Sequence, residues 1–263
     1  MRTNRIIGLG ATGLAQSEDA ASWGFIYDNS TIKDGRRWVG DEVTVPGLGK
    51  FVYSKSAAAC LPGQACEFTD TGYVAITTFA TSHAIGVVDI TVPAATHAAL
   101  TEDELCGGIA VIYDGTTNAV QVRQIIGNDS SILNVAFNIR LGGPLKVAIV
   151  SGVSKIEVFQ NPYAALQTAT SQLLGKAGVP TSKVAAASTY FWVQISGFTW
   201  VTPQSAVVGE NGGIGCFWRG NGVLEGADTA LAVTTATNDT SQYAGHIVAG
   251  SHAGNGPLFM LQG

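Results

Sequence analysis

A run of glycines near the start of the chain has the spacing that dinucleotide-binding folds use to hold a pyrophosphate. Gly8, Gly10 and Gly13 form a G-x-G-x-x-G pattern. Asp28 follows at the distance where such folds place the acid that binds a ribose. The pattern works only where a buried strand precedes it and a helix begins on it, because the helix amides bind the phosphates. The flanking residues therefore decide between a nucleotide site and a coincidence.

The flanking residues do not supply these two elements. Ile6 and Ile7, behind a charged tail, make a poor buried strand, which needs a near-continuous apolar run. The segment after Gly13 is too polar and too short for a crossover helix with an apolar stripe. A chain with 33 glycines also produces this pattern by chance. We therefore interpret residues 1–35 as an extended N-terminal arm and predict no dinucleotide cofactor.

Other motifs of catalysis and metal binding are missing from the sequence. The four cysteines lack C-x2-C spacing, and no histidine pairs with a carboxylate at i+2 or i+4. The nucleophile pattern G-x-S-x-G and the phosphate-binding pattern G-x-x-x-x-G-K-[ST] are absent. We expect buried, reduced thiols, although Cys60 and Cys66 could close a small loop as a disulfide. The sequence predicts no catalytic residue, no metal and no cofactor, and hence not an enzyme.

Charged residues are scarce throughout the chain. They make up 13 % of the sequence, about half of the roughly 25 % usual for globular domains. From residue 184 to the end, the only charged residues are Glu210, Arg219, Glu225, Asp228 and Asp239. A surface this poor in charge is typical of one that a partner covers. We therefore predict an obligate assembly, a homo-oligomer with a trimer favoured.

Composition also argues against two classes of partner. The formal net charge is −5, and the basic residues do not cluster beyond one Arg-Arg doublet. Nucleic-acid binding needs a basic stripe that releases counterions, so we predict no nucleic-acid partner. No apolar run approaches the roughly 20 residues that a bilayer-spanning helix needs, so we predict no membrane partner.

Short strands separated by Gly, Pro and Asp turns dominate the pattern. Asp114 and Gly115 join two alternating runs, which indicates a hairpin. A single helical turn is predicted where Thr101 and Glu104 form a capping box. Residues 161–175 read either as a helix or as an irregular loop.

These signals predict an all-β protein with β-sandwich or β-barrel-like domains and few short helical turns. The small-residue link at residues 175–187 suggests a domain boundary. We predict an arm at 1–35, a β-rich domain at 36–183 and a C-terminal β-rich domain at 184–263.

Aromatic residues concentrate in the C-terminal part of the chain. In the stretch YFWVQISGFTW, large residues fall on both faces of a strand, which suggests burial by the core on one side and by a partner on the other. We predict that Trp192 lies in the core. The candidate interface residues, from the arm and from the aromatic stretch, are Ile6, Ile7, Leu9, Leu14, Trp200, Phe217 and Trp218.

Four stretches resemble, in the same order, a family of tailed-phage virion proteins. They are FVYSKSAAACLPGQACEF, LTEDELCGGIAVIYDGTTNAVQVRQIIGND, LGGPLKVAIVSGVSKIEVFQNPY and GVPTSKVAAASTYFWVQISG. The chain departs from that family at one hairpin tip, where DGTTNAVQ replaces a glycine-rich sequence. The resemblance covers about residues 50–197 and carries no catalytic signature.

The resemblance implies a capsid decoration (cement) or minor head protein. It would bind the major capsid protein on the outer surface of the mature head, in a virion assembled in the host cytoplasm. The alternative is a fibre- or tail-type virion protein whose exposed aromatics bind receptor glycans. A third, enzymatic reading would require the glycine pattern or a carboxylate pair that only the folded structure could bring together.

Overall fold

The structure is a computed structural model that describes residues 7–8, 23–35, 37–69, 72–115, 119–171, 174–202, 215–226, 242–249 and 258–262. Within these ranges the chain is nearly all β, and no helix reaches seven residues. The prediction of an all-β fold with few short helical turns is confirmed. Two antiparallel sheets each curl into a half-barrel.

The two helical segments are 3₁₀ turns, at Trp23–Tyr27 and Pro162–Ala164. The strands, in chain order, are β1 (Ile7–Gly8), β2 (Glu42–Val45), β3 (Gly49–Lys55), β4 (Cys66–Phe68), β5 (Gly72–Thr78), β6 (Asp89–Val92), β7 (Ile109–Tyr113), β8 (Val120–Asn128), β9 (Phe137–Leu141), β10 (Lys155–Phe159), β11 (Leu166–Thr168), β12 (Lys176–Pro180), β13 (Tyr190–Trp200), β14 (Gly215–Trp218), β15 (Leu224–Gly226), β16 (Gln242–Ala249) and β17 (Leu258–Leu261).

Contacts divide the chain into two compact units. The first unit comprises Met1–Thr69 and Tyr163–Gly263, and the second comprises Asp70–Pro162. This division differs from the predicted ranges 36–183 and 184–263. The reason is that β12 and β13, on either side of the predicted boundary, hydrogen-bond to each other within the first unit.

The second unit is a six-stranded antiparallel sheet in the order β5-β10-β7-β8-β9-β6. The predicted hairpin is confirmed, because β7 and β8 pair along their length around Asp114 and Gly115. Asp114 closes the turn by accepting a hydrogen bond from the Ala119 amide at 3.2 Å. One face of this sheet carries a fully apolar core that includes Ile112, Ile125 and many further aliphatic side chains.

The first unit is an eleven-stranded sheet whose main path runs β1-β2-β3-β13-β17-β16-β14-β15. Strands β4, β11 and β12 branch from this path, and β12 pairs with both β13 and β4. The sheet curls around three clusters of buried residues. β13 spans eleven residues, which is long enough to pair with three strands, β3, β12 and β17.

Two facing glycines allow the backbones of β3 and β13 to approach closely where the strands pair. Gly49 and Gly197 are register partners, and a Cβ on Gly197 would lie 2.0 Å from the Leu48 carbonyl oxygen. Both glycines have φ in the left-handed region that favours glycine. β13 therefore continues through Gly197, with an irregularity in its pairing between Gln194 and Ser196.

The two predictions about helical turns have separate outcomes. At Thr101 the predicted capping contact is present, because Glu104 Oε2 accepts hydrogen bonds from the Thr101 amide at 3.0 Å and hydroxyl at 2.9 Å. The segment is a non-helical turn, since Asp103 has a φ of 59°. For residues 161–175, the structure has a 3₁₀ turn followed by β11 instead of a helix. Leu166 explains the difference, since it is fully buried through strand pairing with Phe68.

The described part of the predicted arm packs on the first unit. Ile26 is fully buried, and the Phe25 ring lies 5.4 Å from the Trp192 ring. Ser30 forms an isolated β-bridge with Tyr190. Ile26 therefore belongs to the core of the unit and the 3₁₀ turn covers an aromatic cluster, whereas residues 27–32 are exposed on its surface. Residues 23–35 do not form an extended arm.

Candidate interaction surface

Four neighbouring strands of the first unit carry large apolar side chains on one face, in two groups. Register places Trp200 opposite Leu258 and Phe198 opposite Met260, and separately Phe217 opposite Tyr243. His246 and Ala249 are the β16 partners of Met260 and Leu258 and lie between the two groups. We define the aromatic band by the six apolar members, which are Phe198, Trp200, Phe217, Tyr243, Leu258 and Met260; each is exposed or half-buried. An antiparallel sheet usually places polar residues on its solvent face, so these apolar groups are typical of an interaction surface.

Trp200 is the most prominent member of the band, with 51 % of its surface exposed. Its indole ring packs on Gly63, where an added Cβ would lie 2.5 Å from the ring. The Thr202 amide donates a hydrogen bond to the Gly63 carbonyl at 2.7 Å, which ties the turn to the end of β13. One side of the ring therefore packs on Gly63 while the rest is exposed to solvent, an arrangement that suits an aromatic residue that binds a partner.

Phe217 and Tyr243 form the other end of the band. Their rings meet edge to face with centroids 5.5 Å apart, a geometry that aromatic pairs favour. Trp218 is different, because only 4 % of its surface is exposed and its ring lies 6.3 Å from Phe259 in the core. The placement of Trp218 near a partner surface is therefore wrong. Alternation along β14 turns it inward, with Cys216 on the same side.

The first half of β13 is buried on both faces, as its bulk suggested, but by this chain alone. Phe191 and Val193 pack in one apolar cluster, and Trp192 packs in another on the opposite side. The prediction that Trp192 lies in the core is confirmed, with 2 % of its surface exposed. No partner is needed to cover this part of the strand.

The predicted arm residues do not join the aromatic band in the described structure. Ile6, Leu9 and Leu14 lie outside the described residues. Ile7 forms a two-residue parallel strand with β2, in register with Val43. Of the seven candidate interface residues, Trp200 and Phe217 are exposed or half-buried members of the band, on strands that β17 and β16 separate.

A layer of stacked cations and rings lies in the first unit, and sequence reasoning missed it. The Arg37 guanidinium lies 4.3 Å from the Phe25 ring centroid and 4.8 Å from that of Trp192. Tyr53 stacks on Tyr190 at 5.8 Å. Burial raises the pKa of the Tyr53 phenol, which accepts a hydrogen bond from the Asp34 amide at 3.1 Å. These residues are far apart in sequence, so only their aromatic character could have indicated the layer.

A second missed feature is a buried ion pair between β4 and β12. Lys176 Nζ lies 3.0 Å from Glu67 Oε2, and both side chains are at most 3 % exposed. Glu67 also accepts hydrogen bonds from the Gln167 amide at 3.0 Å and the Thr170 hydroxyl at 2.9 Å. The Ser171 amide donates a further bond at 3.1 Å. Burial raises the pKa of Glu67, but these hydrogen bonds outweigh it and hold the pKa below its usual value.

All four cysteines are free and buried, as expected for apolar thiols. Cys60 and Cys66 share an apolar cluster with Leu166 and Phe191. Burial raises the pKa of Cys66 well above its usual value, with a hydrogen bond to Cys60 adding to the effect. Burial also raises the pKa of Cys216 to about 11. Such thiols stay protonated and unreactive, so this cluster serves packing.

Among the described residues, no group of three or more His, Cys, Asp and Glu side chains is arranged to hold a metal ion. Within the same ranges, no helix is long and apolar enough to cross a bilayer. No protein-family model, curated protein or solved structure matches the chain. The chemistry that the aromatic band offers is the burial of apolar and aromatic surface against a partner.

Proposed function

We propose that the chain is a structural protein of a tailed-phage virion, a decoration (cement) protein that binds the outer surface of the capsid through the aromatic band. The observation that carries this proposal is the band itself, a set of large, exposed or half-buried apolar side chains on one face of the sheet. The scarcity of charge in the sequence and its resemblance to virion proteins support the same role.

The proposed action is mechanical. Each copy would bury the band against the major capsid protein, contributing about 25 cal/mol per Å² of apolar surface removed from water. Repeated over many copies, this contact would stabilise the head against the pressure of packaged DNA. The role is structural and not catalytic, and its place is the virion after assembly in the host cytoplasm.

Exposed aromatics also favour a second candidate, a fibre- or tail-type virion protein that binds receptor glycans. Trp200 presents a flat, half-exposed ring, and Tyr243 presents another at the far end of the band. Rings of this kind combine an apolar face with a polar edge that suits recognition of sugars.

Copy number in the particle separates the two candidates. Quantitative mass spectrometry of purified virions would measure the ratio of this chain to the major capsid protein. Hundreds of copies, lost together with head stability when the protein is removed, support decoration. Tens of copies or fewer, located at the tail by electron microscopy, favour the glycan-binding role and contradict decoration.

Replacing Trp200 with alanine is expected to weaken attachment while leaving the fold intact. The ring is half-exposed, so the free energy of unfolding should change by less than about 1 kcal/mol. Loss of a central anchor should weaken binding to heads by about 2 kcal/mol, or roughly 30-fold. Co-sedimentation with heads that lack the protein measures the binding, and thermal unfolding measures the stability.

Tyr27→Ala provides a matched control for Trp200→Ala. Tyr27 is equally exposed, at 57 %, but lies on a 3₁₀ turn outside the band. Its replacement should leave head binding unchanged. Equal binding by the Trp200→Ala and wild-type proteins would remove the band from the proposed capsid contact.

A further inference from the structure

The second unit has its own apolar outer face, separate from the aromatic band. Val120 and Val122 on β8 are 52 % and 57 % exposed, and register sets them opposite Tyr113 and Val111 on β7. On the opposite side, Ala110, Ile112 and Ile125 belong to the apolar core, beside the buried Gln121 of β8. Strand β7 is thus apolar on both faces, which is typical of a strand covered on both sides. We define the outer face by Ile76, Ile109, Val111, Tyr113, Val120 and Val122.

Two opposite charges lie within this face, on β10, which pairs with β5 on one side and with β7 on the other. Lys155 is the register partner of Tyr113, and Glu157 is the register partner of Val111. Lys155 therefore lies in the cross-strand row of Tyr113, and Glu157 lies in the adjacent row of Val111. The two side chains point to the same side of the sheet because they are two residues apart on one strand. The Tyr113 hydroxyl lies 3.4 Å from Glu157 Oε2, which keeps the carboxylate beside the apolar rows.

This arrangement of charges is self-complementary. A two-fold axis running across the strands, between the two rows, would place Lys155 of one copy opposite Glu157 of the other. The same rotation would place Val120 of one copy opposite Val122 of the other. An isologous interface requires each surface to complement itself in this way. A different partner whose surface carries charges of a single sign would instead place a like charge opposite either Lys155 or Glu157.

The size of the face limits how strongly it can associate. It spans the four strands β5, β10, β7 and β8, which at about 4.8 Å spacing and about five residues of 3.4 Å each give an area on the order of 330 Å². Two copies together would then bury roughly 650 Å², the size of a weak and transient contact, so we expect association only at high protein concentration. A depression of about 280 Å³, lined by Ile76, Tyr113 and Val153 among others, lies at one end. It offers room for an apolar side chain of the second copy.

We propose that the outer face of the second unit binds a second copy of this chain, pairing Lys155 with Glu157 across a two-fold axis. The pairing makes a dimer, in contrast to the trimer that the sequence favoured. It does not use the aromatic band, so dimer formation and capsid attachment can fail separately.

A charge exchange tests the pairing on the full chain. Lys155→Glu and Glu157→Lys each place like charges against each other in a homodimer, so each should weaken self-association by about tenfold or more. An equimolar mixture of the two variants should recover wild-type affinity, because one copy then carries two acids and the other two bases. Sedimentation equilibrium measures the mass and the dissociation constant of each sample.

Lys50→Glu is the matched control, since it makes the same charge change on an exposed position of the first unit. It should leave self-association unchanged, and thermal unfolding should show all three variants folded. A wild-type monomer at high micromolar concentration would overturn the proposal. So would a trimer that neither exchange weakens, or two weakened variants whose mixture does not recover.

Discussion

Lys176→Met is expected to destabilise the first unit by about 3–5 kcal/mol, the cost of leaving a buried charge without its partner. Glu67 is fully buried, so its carboxylate cannot recover the lost ammonium contact with bulk water. The three remaining hydrogen-bond donors satisfy the oxygens but do not neutralise the charge. Urea unfolding followed by circular dichroism measures the change.

Two further variants isolate the ion pair from the loss of packing. The double variant Lys176→Met, Glu67→Gln removes both charges and should recover part of the lost stability, since a neutral pair costs less to bury. Lys50→Met, at an exposed position of β3, should change stability by less than about 0.5 kcal/mol. A double variant no more stable than Lys176→Met would contradict the electrostatic explanation.

The same carboxylate gives the stability a defined pH dependence. Its pKa in the folded chain lies below the usual value of 4.5, so the unfolded chain binds a proton first as pH falls. The contribution of Glu67 to stability is therefore complete above pH 4.5 and is lost as pH drops through the folded pKa. Unfolding measured across this range should show a smaller loss in the double variant.

Trp192→Ala is expected to cost about 3–5 kcal/mol and to unfold the first unit at moderate denaturant concentration. The ring is buried against Phe25 and Tyr53, with centroids at 5.4 and 5.3 Å, and the Arg37 guanidinium stacks on it. Removing it leaves a cavity in the apolar cluster and takes away one of the two rings on which the Arg37 guanidinium stacks, leaving only Phe25. Chemical unfolding of the purified variant measures the cost.

Comparison with the other tryptophans makes this prediction specific. Trp218→Ala should also destabilise by several kcal/mol, because that side chain is buried beside Phe259. Trp200→Ala should change stability by less than about 1 kcal/mol, since its ring is half-exposed. If Trp192→Ala proved as mild as Trp200→Ala, the aromatic cluster would not be a core.

Local pattern predicted the all-β character and the hairpin of this protein, but it missed β11 and β12, which lie where the sequence indicated a helix or loop and a small-residue link. Asp114 and Gly115 identified a hairpin because turn chemistry and alternation act between near neighbours. The division into units could not be predicted in this way. It depends on β3 pairing with β13, and alternation says which face a side chain takes but not which strand lies beside it.

The candidate site was predictable to a similar extent. Trp200 and Phe217 were identified from aromatic content, but Trp218 was misplaced because a strand as short as β14 allows either phase of alternation. The ion pair between Glu67 and Lys176 joins residues 109 positions apart. Nothing in the local sequence of either residue indicates the other, so only the fold brings them together.

The discontinuous first unit has a consequence for synthesis at the ribosome. Strand β3 leaves the ribosome early together with its neighbour β2, but its other partner, β13, follows only after the whole second unit has been made. The second unit is continuous in sequence, so it can complete its sheet before the C-terminal strands of the first unit have been synthesised. The nascent chain therefore carries unpaired strand edges for a long interval, a period in which chaperones would protect it from aggregation.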